Sequence, residues 1–373
     1  DDGIGVAAQM AILTDESLEH GPIECLFTVD EETGLTGAFA LQPNFIKGKI
    51  LLNLDSEDEG ELFIGCAGGV DTLATFTYEE EKIPSNHKAL KINITGLNGG
   101  HSGDEIDNGL GNSIKIINRF LWNASNKFDI RISALNGGRA RNAIPREAFA
   151  TITVHNDDIE SLNNYFKQYS IDIKAELKTT EPKLELEISD VELPKFVIDE
   201  DSHYSLLNAL YACPNGVYEM SRDIENLVET STNLASVKFQ DGNKIFITTS
   251  QRSSVDTARF DIADMVRSVF TLAGAKVKNT EGYPGWKPNT DSEIMKVTEA
   301  AYKKLFNVDP EVKAIHAGLE CGLFLEKYPD LDMISFGPTI KGAHTPEEKI
   351  NIETNLKFWN LLIEVLHNIP ENN

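Results

Sequence analysis

The sequence predicts an α/β domain that is interrupted by an inserted α+β domain. Short, nearly continuous apolar runs occur near each end of the 373-residue chain. Such runs are typical of strands that are buried on both faces of a mostly parallel sheet. From about residue 70 the pattern changes to alternating strands, and a Pro/Gly-rich stretch at 281–292 precedes the return to the first pattern. We therefore expect one domain from 1–69 and 284–373, and an inserted domain from 70–283.

The first part of the chain predicts two helices that alternate with two strands. Apolar residues at helical spacing predict a helix over 3–19, which the sequence His-Gly-Pro ends. The apolar runs at 23–29 and 49–55 predict strands, with a helix over 34–41 between them. This order is typical of α/β organisation.

The middle part predicts mainly paired strands with helices between them. An Asp-Gly pair inside 233–254 predicts a β-hairpin. Strand–helix–strand occurs twice, which is a weak indication of duplication. The other predicted elements are strands at 71–79, 87–97 and 148–156, and helices at 110–124, 157–168 and 256–274.

The last part returns to α/β character. A helix over 292–305 precedes strands at 312–318 and 332–338, and a terminal helix covers 351–368. Together with the first part, these elements would form one α/β domain.

Composition and charge exclude some functions. The net charge of −25, from 34 basic and 59 acidic side chains, disfavours a nucleic-acid or anionic-membrane partner. No apolar run is long enough for a membrane span. The four cysteines show no Cys-x-x-Cys spacing, which favours reduced thiols and a cytoplasmic location. The chain starts inside an apparent helix without methionine, so we expect that an N-terminal portion is missing.

Acidic residues follow the predicted strands at the ends where open α/β sheets bind ligands. Glu31 and Glu32 come after the strand at 23–29, and Asp55 ends the strand at 49–55. Three adjacent acids, including Asp30, repel one another unless a cation is near. One carboxylate could bind a metal while its neighbour acts as a general base. A solvated acidic loop is the commoner meaning of such a sequence.

Two histidines lie in settings that suit a site. His344 is on a loop after a predicted strand, and with Asp and Glu it forms a mixed donor set suited to zinc, manganese or cobalt. His101 is flanked by glycines, and Asn142 lies in a second glycine-rich segment. Two ordinary hairpin turns explain these segments equally well.

Taken together, six motifs resemble the di-zinc exopeptidases, a family that includes carnosinases, aminoacylases and succinyl-diaminopimelate desuccinylase. Longer blocks, among them "LNLDSEDEGELFIGCAGG" and "GPTIKGAHTPEE", are similar to the branch of that family that hydrolyses Xaa-His dipeptides such as carnosine. The resemblance covers essentially the whole chain. The motifs are Asp1-Asp-Gly, Asp30-Glu-Glu-Thr-Gly, Asn53-Leu-Asp-Ser-Glu, Gly99-Gly-His-Ser-Gly, Arg141-Asn-Ala-Ile-Pro and Gly337-Pro followed by His344.

The resemblance implies a zinc-exopeptidase-like catalytic domain with two divalent metal ions, zinc first and manganese or cobalt as alternatives. Asp1 would bridge the two metals, and the terminal ligands would be Glu32, Asp55 and His344. Glu31 would be the general base that takes a proton from water and later donates it to the leaving amine. The inserted domain would be a lid or dimerisation domain.

The same resemblance implies a binding site for a small dipeptide. His101 would lie over the carbonyl oxygen as it becomes an oxyanion, and Asn142 would supply a further donor. Asn233 and Arg252 would bind the dipeptide carboxylate, and Glu320 its free amino group. A homodimer through the lid and a monomer with a duplicated lid both fit the pattern.

One departure from the family limits this interpretation. The family's first metal ligand, a histidine of a His-x-Asp motif, belongs to an N-terminal segment that this chain lacks. We therefore expect the full-length parent to be a metal-dependent dipeptidase and the present chain to be impaired. The alternatives are an amide hydrolase of the same architecture acting on N-acylated amino acids, and a non-catalytic binding or dimerisation fragment.

Overall fold

The structure is a computed structural model that describes residues 3–343 and 347–369, without the side chains of Glu32 and Thr33. The chain divides into two compact units. The first unit comprises Asp1–Gly68, Ser221–Leu227 and Tyr283–Asn373, and the second comprises Gly69–Met220 and Val228–Gly282. The catalytic and lid roles that the sequence suggests for these two parts stay predictions.

Helices and strands are numbered here in chain order. The helices are α1 Gly3–Thr14, α2 Glu31–Gly34, α3 Thr36–Ala40, α4 Ser113–Ser125, α5 Ile159–Glu176, α6 Glu200–Ala212, α7 Asp256–Leu272, α8 Glu293–Phe306, α9 Cys321–Lys327 and α10 Ile352–Asn368. The strands are β1 Ile50–Asn53, β2 Glu61–Cys66, β3 Gly68–Thr77, β4 Glu80–Glu81, β5 His87–Thr95, β6 Gly100–His101, β7 Ile130–Gly137, β8 Ala143–Ile144, β9 Ala148–His155, β10 Glu185–Val191, β11 Val197–Ile198, β12 Gly216–Met220, β13 Val228–Gln240, β14 Lys244–Ser253, β15 Lys276–Asn279, β16 Glu311–Ile315, β17 Asp332–Ser335, β18 Ile340–Lys341 and β19 Lys349–Ile350.

The first unit is built on a four-stranded sheet in the order β1-β17-β2-β16. The pairs β1–β17 and β2–β16 are parallel, and β17 meets β2 antiparallel at its end. Helices α8 and α10 pack on this sheet around a core that includes Ile64, Ile334 and Leu362. Because β1 and β17 run parallel, the residues that follow them emerge at the same edge of the sheet.

The predicted strand at 23–29 is absent, and this prediction was wrong. Residues 22–28 have no regular secondary structure, and Phe27 and Val29 are exposed. An apolar run becomes a strand only when a neighbouring strand satisfies its backbone N–H and C=O groups, and no described strand pairs with this segment.

Two predicted helices of the first unit are shorter than expected. Helix α1 ends at Thr14 because the Asp15 carboxylate accepts hydrogen bonds from both the N–H and the hydroxyl of Ser17, a local alternative to helical bonding. The predicted helix over 34–41 appears as α3, which Leu35 at φ 59° separates from α2.

The second unit contains a nine-stranded sheet in the order β10-β5-β9-β7-β13-β14-β3-β15, with β12 paired to β13. Helices α4, α5, α6 and α7 pack against this sheet and enclose its main core. The predicted hairpin is present as β13 and β14, and its turn places Gly242 and Asn243 at positive φ. Among the described residues, no helix combines the length and apolar character that crossing a bilayer requires.

A half-buried lysine, Lys115, joins two helices of the second unit. Helix α4 begins at an Asn112 cap, whose side chain accepts from Ile114 N and Lys115 N. The Lys115 Nζ donates to the carbonyl oxygens of Leu210, Tyr211 and Cys213, each at 2.8 Å. These carbonyls lie at the C-terminal end of α6, where a cation is favoured by the helix dipole. Lys115 therefore fixes the start of α4 against the end of α6.

A buried histidine makes the stability of the second unit depend on pH. His203 is 1% exposed, its Nδ1 accepts from Ile132 N at 3.2 Å, and its Nε2 lies 2.8 Å from Ser125 Oγ. Burial first, and then the Arg131 charge, lower the pKa of His203 to about 4. Because the folded pKa lies below the unfolded value, this contribution to stability is complete above about pH 6.5 and is lost as the pH falls towards 4.

We expect the free energy of unfolding to fall by about 2 kcal/mol from this group alone between neutral pH and about pH 5. Urea unfolding of wild type and His203→Gln at both pH values measures how much His203 contributes to this fall in the free energy of unfolding. The variant should lose less stability on acidification than wild type. An equal loss in both proteins would show that His203 does not contribute.

Candidate functional site

The first unit presents Asp55 at the edge where β1 and β17 end. The Asp55 N–H donates to Asn53 Oδ1, which also accepts from the Ser335 hydroxyl at 2.6 Å. The hydroxyls of Ser56 and Ser335 lie 2.7 Å apart. This hydrogen-bonded set attaches the segment after β1 to the end of β17 and fixes the position of the Asp55 backbone.

Gly337 allows the same segment to pack closely. A Cβ built on Gly337 would lie 1.7 Å from the backbone oxygen of Ser56, which no side chain could tolerate without backbone movement. The Gly-Pro pair of the sequence motif thus serves a packing role beside Asp55.

Glu31 opens the single turn α2, which lies between two residues in the left-handed conformation. Asp30 has φ 60° and Leu35 has φ 59°, and Leu is rarely found there. The Asp30 carboxylate accepts a hydrogen bond from the Thr36 hydroxyl at 2.8 Å, which closes the turn. Strained backbone of this kind concentrates at functional sites, so it supports a functional role for the turn.

Glu320 lies beside the segment that leads to this turn. Its Oε2 accepts from the Thr28 hydroxyl at 3.0 Å, and its buried Oε1 has no hydrogen-bond partner in the part of the chain that the structure describes. Burial raises the pKa of Glu320, and the Thr28 hydrogen bond opposes that shift. A buried acceptor without a donor is suited to a cationic ligand group.

Asp55 belongs to the same neighbourhood. The pKa of the Cys321 thiol is raised well above its usual value, first by burial and then by Cys66, Glu320 and Asp55. Both the Asp55 and the Glu320 carboxylates therefore lie within electrostatic range of the Cys321 thiol. The first unit thus places Asp55 and Glu320 around Cys321, and the Thr28 hydrogen bond joins Glu320 to the segment that carries Glu31.

Of the four predicted metal ligands, Asp55 is the one whose side chain the structure describes. Asp1 and His344 lie outside the described residues, and so does the side chain of Glu32. Within the described ranges, no group of three or more His, Cys, Asp or Glu side chains is arranged to hold a metal ion. Asp55, a half-buried carboxylate at the ligand-binding edge of the sheet, fits a divalent cation in its donor chemistry.

The second unit brings three predicted residues together. His101 in β6 pairs with Ala143 in β8, and the Ser102 N–H donates to the Asn142 carbonyl oxygen at 2.9 Å. Asn233 Nδ2 donates to the Ala143 carbonyl oxygen, also at 2.9 Å. His101, Asn142 and Asn233 therefore belong to one connected group.

Arg252 lies next to Asn233 on the sheet. Asn233 is opposite Ser250 in the β13–β14 ladder, and Arg252 is two residues further along β14, on the same face. Both side chains are buried, and Asn233 Oδ1 has no hydrogen-bond partner among the described residues. A carboxylate could accept from the Arg252 guanidinium and from the second N–H of the Asn233 amide, whose oxygen is an acceptor and would not contribute.

Two acidic residues contact His101, and the sequence interpretation gave neither of them a role. The Asp104 carboxylate lies 3.0 Å from His101 Nδ1, and Glu105 Oε2 accepts from the His101 N–H at 2.7 Å. The signal was available, because both acids follow His101 within one turn of chain. The Asp104 N–H also lies 3.2 Å from His101 Nδ1 as a donor, so Asp104 orients the imidazole through its carboxylate or through its backbone N–H, according to the tautomer of the ring.

Comparison with known proteins decides the family. The profile described as Peptidase family M20/M25/M40 matches residues 1–368. The chain belongs to this family. The cytosol non-specific dipeptidase of Escherichia coli (strain K12) is 43% identical over 370 residues, which are 99% of this chain and 76% of that protein.

Solved structures of the family agree with the fold. The aminoacylhistidine dipeptidase of Vibrio alginolyticus superposes with a TM-score of 0.95 at 43% identity, covering all of this chain and 76% of the other. A tripeptidase from Staphylococcus aureus subsp. aureus mu50 shares the fold, with a TM-score of 0.50 at 14% identity, covering 98% of this chain and 70% of the other.

These matches confirm the predicted α/β metallopeptidase fold, the resemblance to the Xaa-His dipeptidase branch, and the enzyme class, a dipeptidase. M20 membership implies the use of a divalent metal ion. The expectation that the chain lacks an N-terminal segment is not borne out by the matches. The individual roles of the site residues also remain predictions.

Proposed function

We propose that this protein, in its full-length form, hydrolyses dipeptides with a preference for Xaa-His, of the carnosine type. Full-length form here means the chain together with any residues that precede Asp1. The observation that carries the proposal is the contact between Thr28 and Glu320, which holds a buried, unpartnered carboxylate oxygen beside the turn of Glu31. This oxygen can accept from a substrate ammonium group, and Thr28 joins it to the segment that carries the proposed base, Glu31.

Asp1, Glu32, Asp55 and His344 would hold two divalent ions, with zinc as the first choice and manganese or cobalt as alternatives. When bound, the ions supply Lewis-acid polarisation and activation of water. Glu31 accepts the proton of the attacking water and later delivers it to the leaving amine.

The second unit supplies the remaining groups. The His101 imidazole, oriented by Asp104, donates to the carbonyl oxygen as negative charge develops on it. Asn233 and Arg252 bind the substrate carboxylate, and Asn142 adds a polar contact from the neighbouring segment. In the first unit, Glu320 pairs with the substrate's free ammonium group.

We further propose that the 373-residue chain alone is inactive or nearly so, because the assigned ligands Asp1, Glu32, Asp55 and His344 do not include the family's first histidine ligand. The rate of β-alanyl-histidine hydrolysis, with added zinc, compares the chain with its full-length form. Equal rates would contradict this part of the proposal. The proposed location is cytoplasmic, the proposed partner is a small dipeptide, and a homodimer is compatible with the proposal; the acidic surface disfavours nucleic acid.

A substrate panel separates the dipeptidase from its nearest alternative. The full-length form should cleave β-alanyl-histidine and other free dipeptides much faster than N-acetyl amino acids, because Glu320 needs an ammonium partner. Preference for the blocked substrates would instead identify an amide hydrolase of the same architecture. Less than one tightly bound metal ion per chain, with no hydrolysis of either class, would favour a non-catalytic fragment.

A further inference from the structure

A single buried carboxylate holds both ends of the loop that carries His101. This loop connects β5 to α4 and contains β6. Glu181, which follows α5 in the chain, is only 2% exposed. Its Oε2 accepts from the Asn98 N–H at 2.7 Å, and its Oε1 accepts from the Gly111 N–H at 2.8 Å.

The backbone around Glu181 is shaped for these contacts. The Asn98 side chain donates to the Thr180 carbonyl oxygen at 2.7 Å, so the start of the loop is attached twice to the segment after α5. At the loop's end, a Cβ on Gly111 would lie 2.8 Å from Leu97 Cδ2 and 3.4 Å from Glu181 Cγ. Gly111 therefore lets the backbone reach the carboxylate.

A carboxylate is the side chain that this geometry requires. Two backbone N–H groups point at two oxygens, and an ionised carboxylate accepts at both. An amide would satisfy one N–H and present its own N–H₂ group to the other. Burying a charged group is costly, so its presence here indicates a requirement that apolar packing alone does not meet.

We infer that Glu181 is a positioning residue for catalysis, which acts through His101. This inference rests on the proposed role of His101 in the reaction. Glu181 fixes the ends of the loop, and within it Glu105 fixes the His101 backbone N–H at 2.7 Å. Small displacements of a group that stabilises the transition state reduce the rate strongly and affect substrate binding less.

The test uses Glu181→Gln in the full-length form, with hydrogen exchange of residues 98–111 and steady-state kinetics on β-alanyl-histidine. We expect faster amide exchange in the loop and a fall in kcat of about 10-fold, with KM changed by less than about 2-fold. In a His101→Ala background, the same substitution should produce almost no further fall in kcat. A purely structural role would not show this dependence on His101.

Glu185→Gln is the matched control, because Glu185 is an exposed acid of β10, close in sequence, that pairs with Lys174. It should change neither the loop exchange nor kcat. If Glu181→Gln does not fold, Glu181→Asp, which keeps two acceptor oxygens on a shorter side chain, should show a smaller change in the same direction.

Two results would overturn the inference while leaving the proposed function intact. One is amide exchange in the loop that Glu181→Gln leaves unchanged. The other is a fall in kcat on Glu181→Gln substitution that is as large in the His101→Ala background as in the wild-type background. Wild-type kcat in His101→Ala would overturn the proposed role of His101, and the inference with it.

Discussion

Glu31→Gln in the full-length form is expected to lower kcat on β-alanyl-histidine by about 10³-fold. General bases contribute roughly 10² to 10⁴ in rate, and an amide of the same size cannot accept the proton of the attacking water. The α2 turn begins at Glu31 and depends on its backbone carbonyl, which accepts from the Leu35 N–H at 3.0 Å. The substitution keeps that carbonyl, so the turn should persist.

Metal content and KM should stay close to wild type in this variant, since Glu31 is assigned to proton transfer and not to metal binding. Glu16→Gln is a suitable control because Glu16 is an exposed acid of the first unit. It should retain wild-type kinetics. If Glu31→Gln keeps more than about a tenth of wild-type kcat, Glu31 is not the general base.

His101→Ala is expected to lower kcat by about 10²- to 10³-fold, the usual loss when one oxyanion-stabilising donor is removed. The imidazole is oriented by Asp104 and held in a strand pair with Ala143, so its position is defined before substrate binds. KM should change little, because the interaction strengthens mainly in the transition state. Steady-state kinetics of the full-length variant measure both constants.

His155→Ala controls for loss of a histidine in the same unit. The His155 side chain has the same 32% exposure as that of His101 and likewise lies beside an aspartate, Asp157. Its substitution should leave kcat unchanged. Equal effects of the two substitutions would show that the loss reflects damage to the second unit and not removal of an oxyanion donor.

The sequence predicted those parts of the fold whose pattern is local. The strands that became β1 and β17, the hairpin of β13 and β14, and helix α10 all carry apolar spacing or turn residues that need no distant partner to be recognised. The segment 23–29 has an equally apolar pattern but remains irregular, because strand formation also requires a pairing neighbour.

For the predicted site, too, the sequence indicated local features but not the contacts between distant residues. Residue types and spacing pointed to Glu31, Asp55 and His101, but the contacts that orient them join distant parts of the chain. Thr28 and Glu320 are 292 positions apart, and no sequence pattern predicts their hydrogen bond. Glu181 lies in an ordinary charged stretch, and only the fold shows that its carboxylate holds two loop N–H groups.

Removal and return of metal tests whether hydrolysis depends on a bound divalent ion. The full-length form is stripped with a chelator, its metal content and its rate on β-alanyl-histidine are measured, and both are measured again after zinc is added. Loss of hydrolysis with the metal, and recovery when zinc rebinds, is the predicted result. Hydrolysis that continues at the original rate in metal-free protein would show that the reaction does not depend on a bound metal ion.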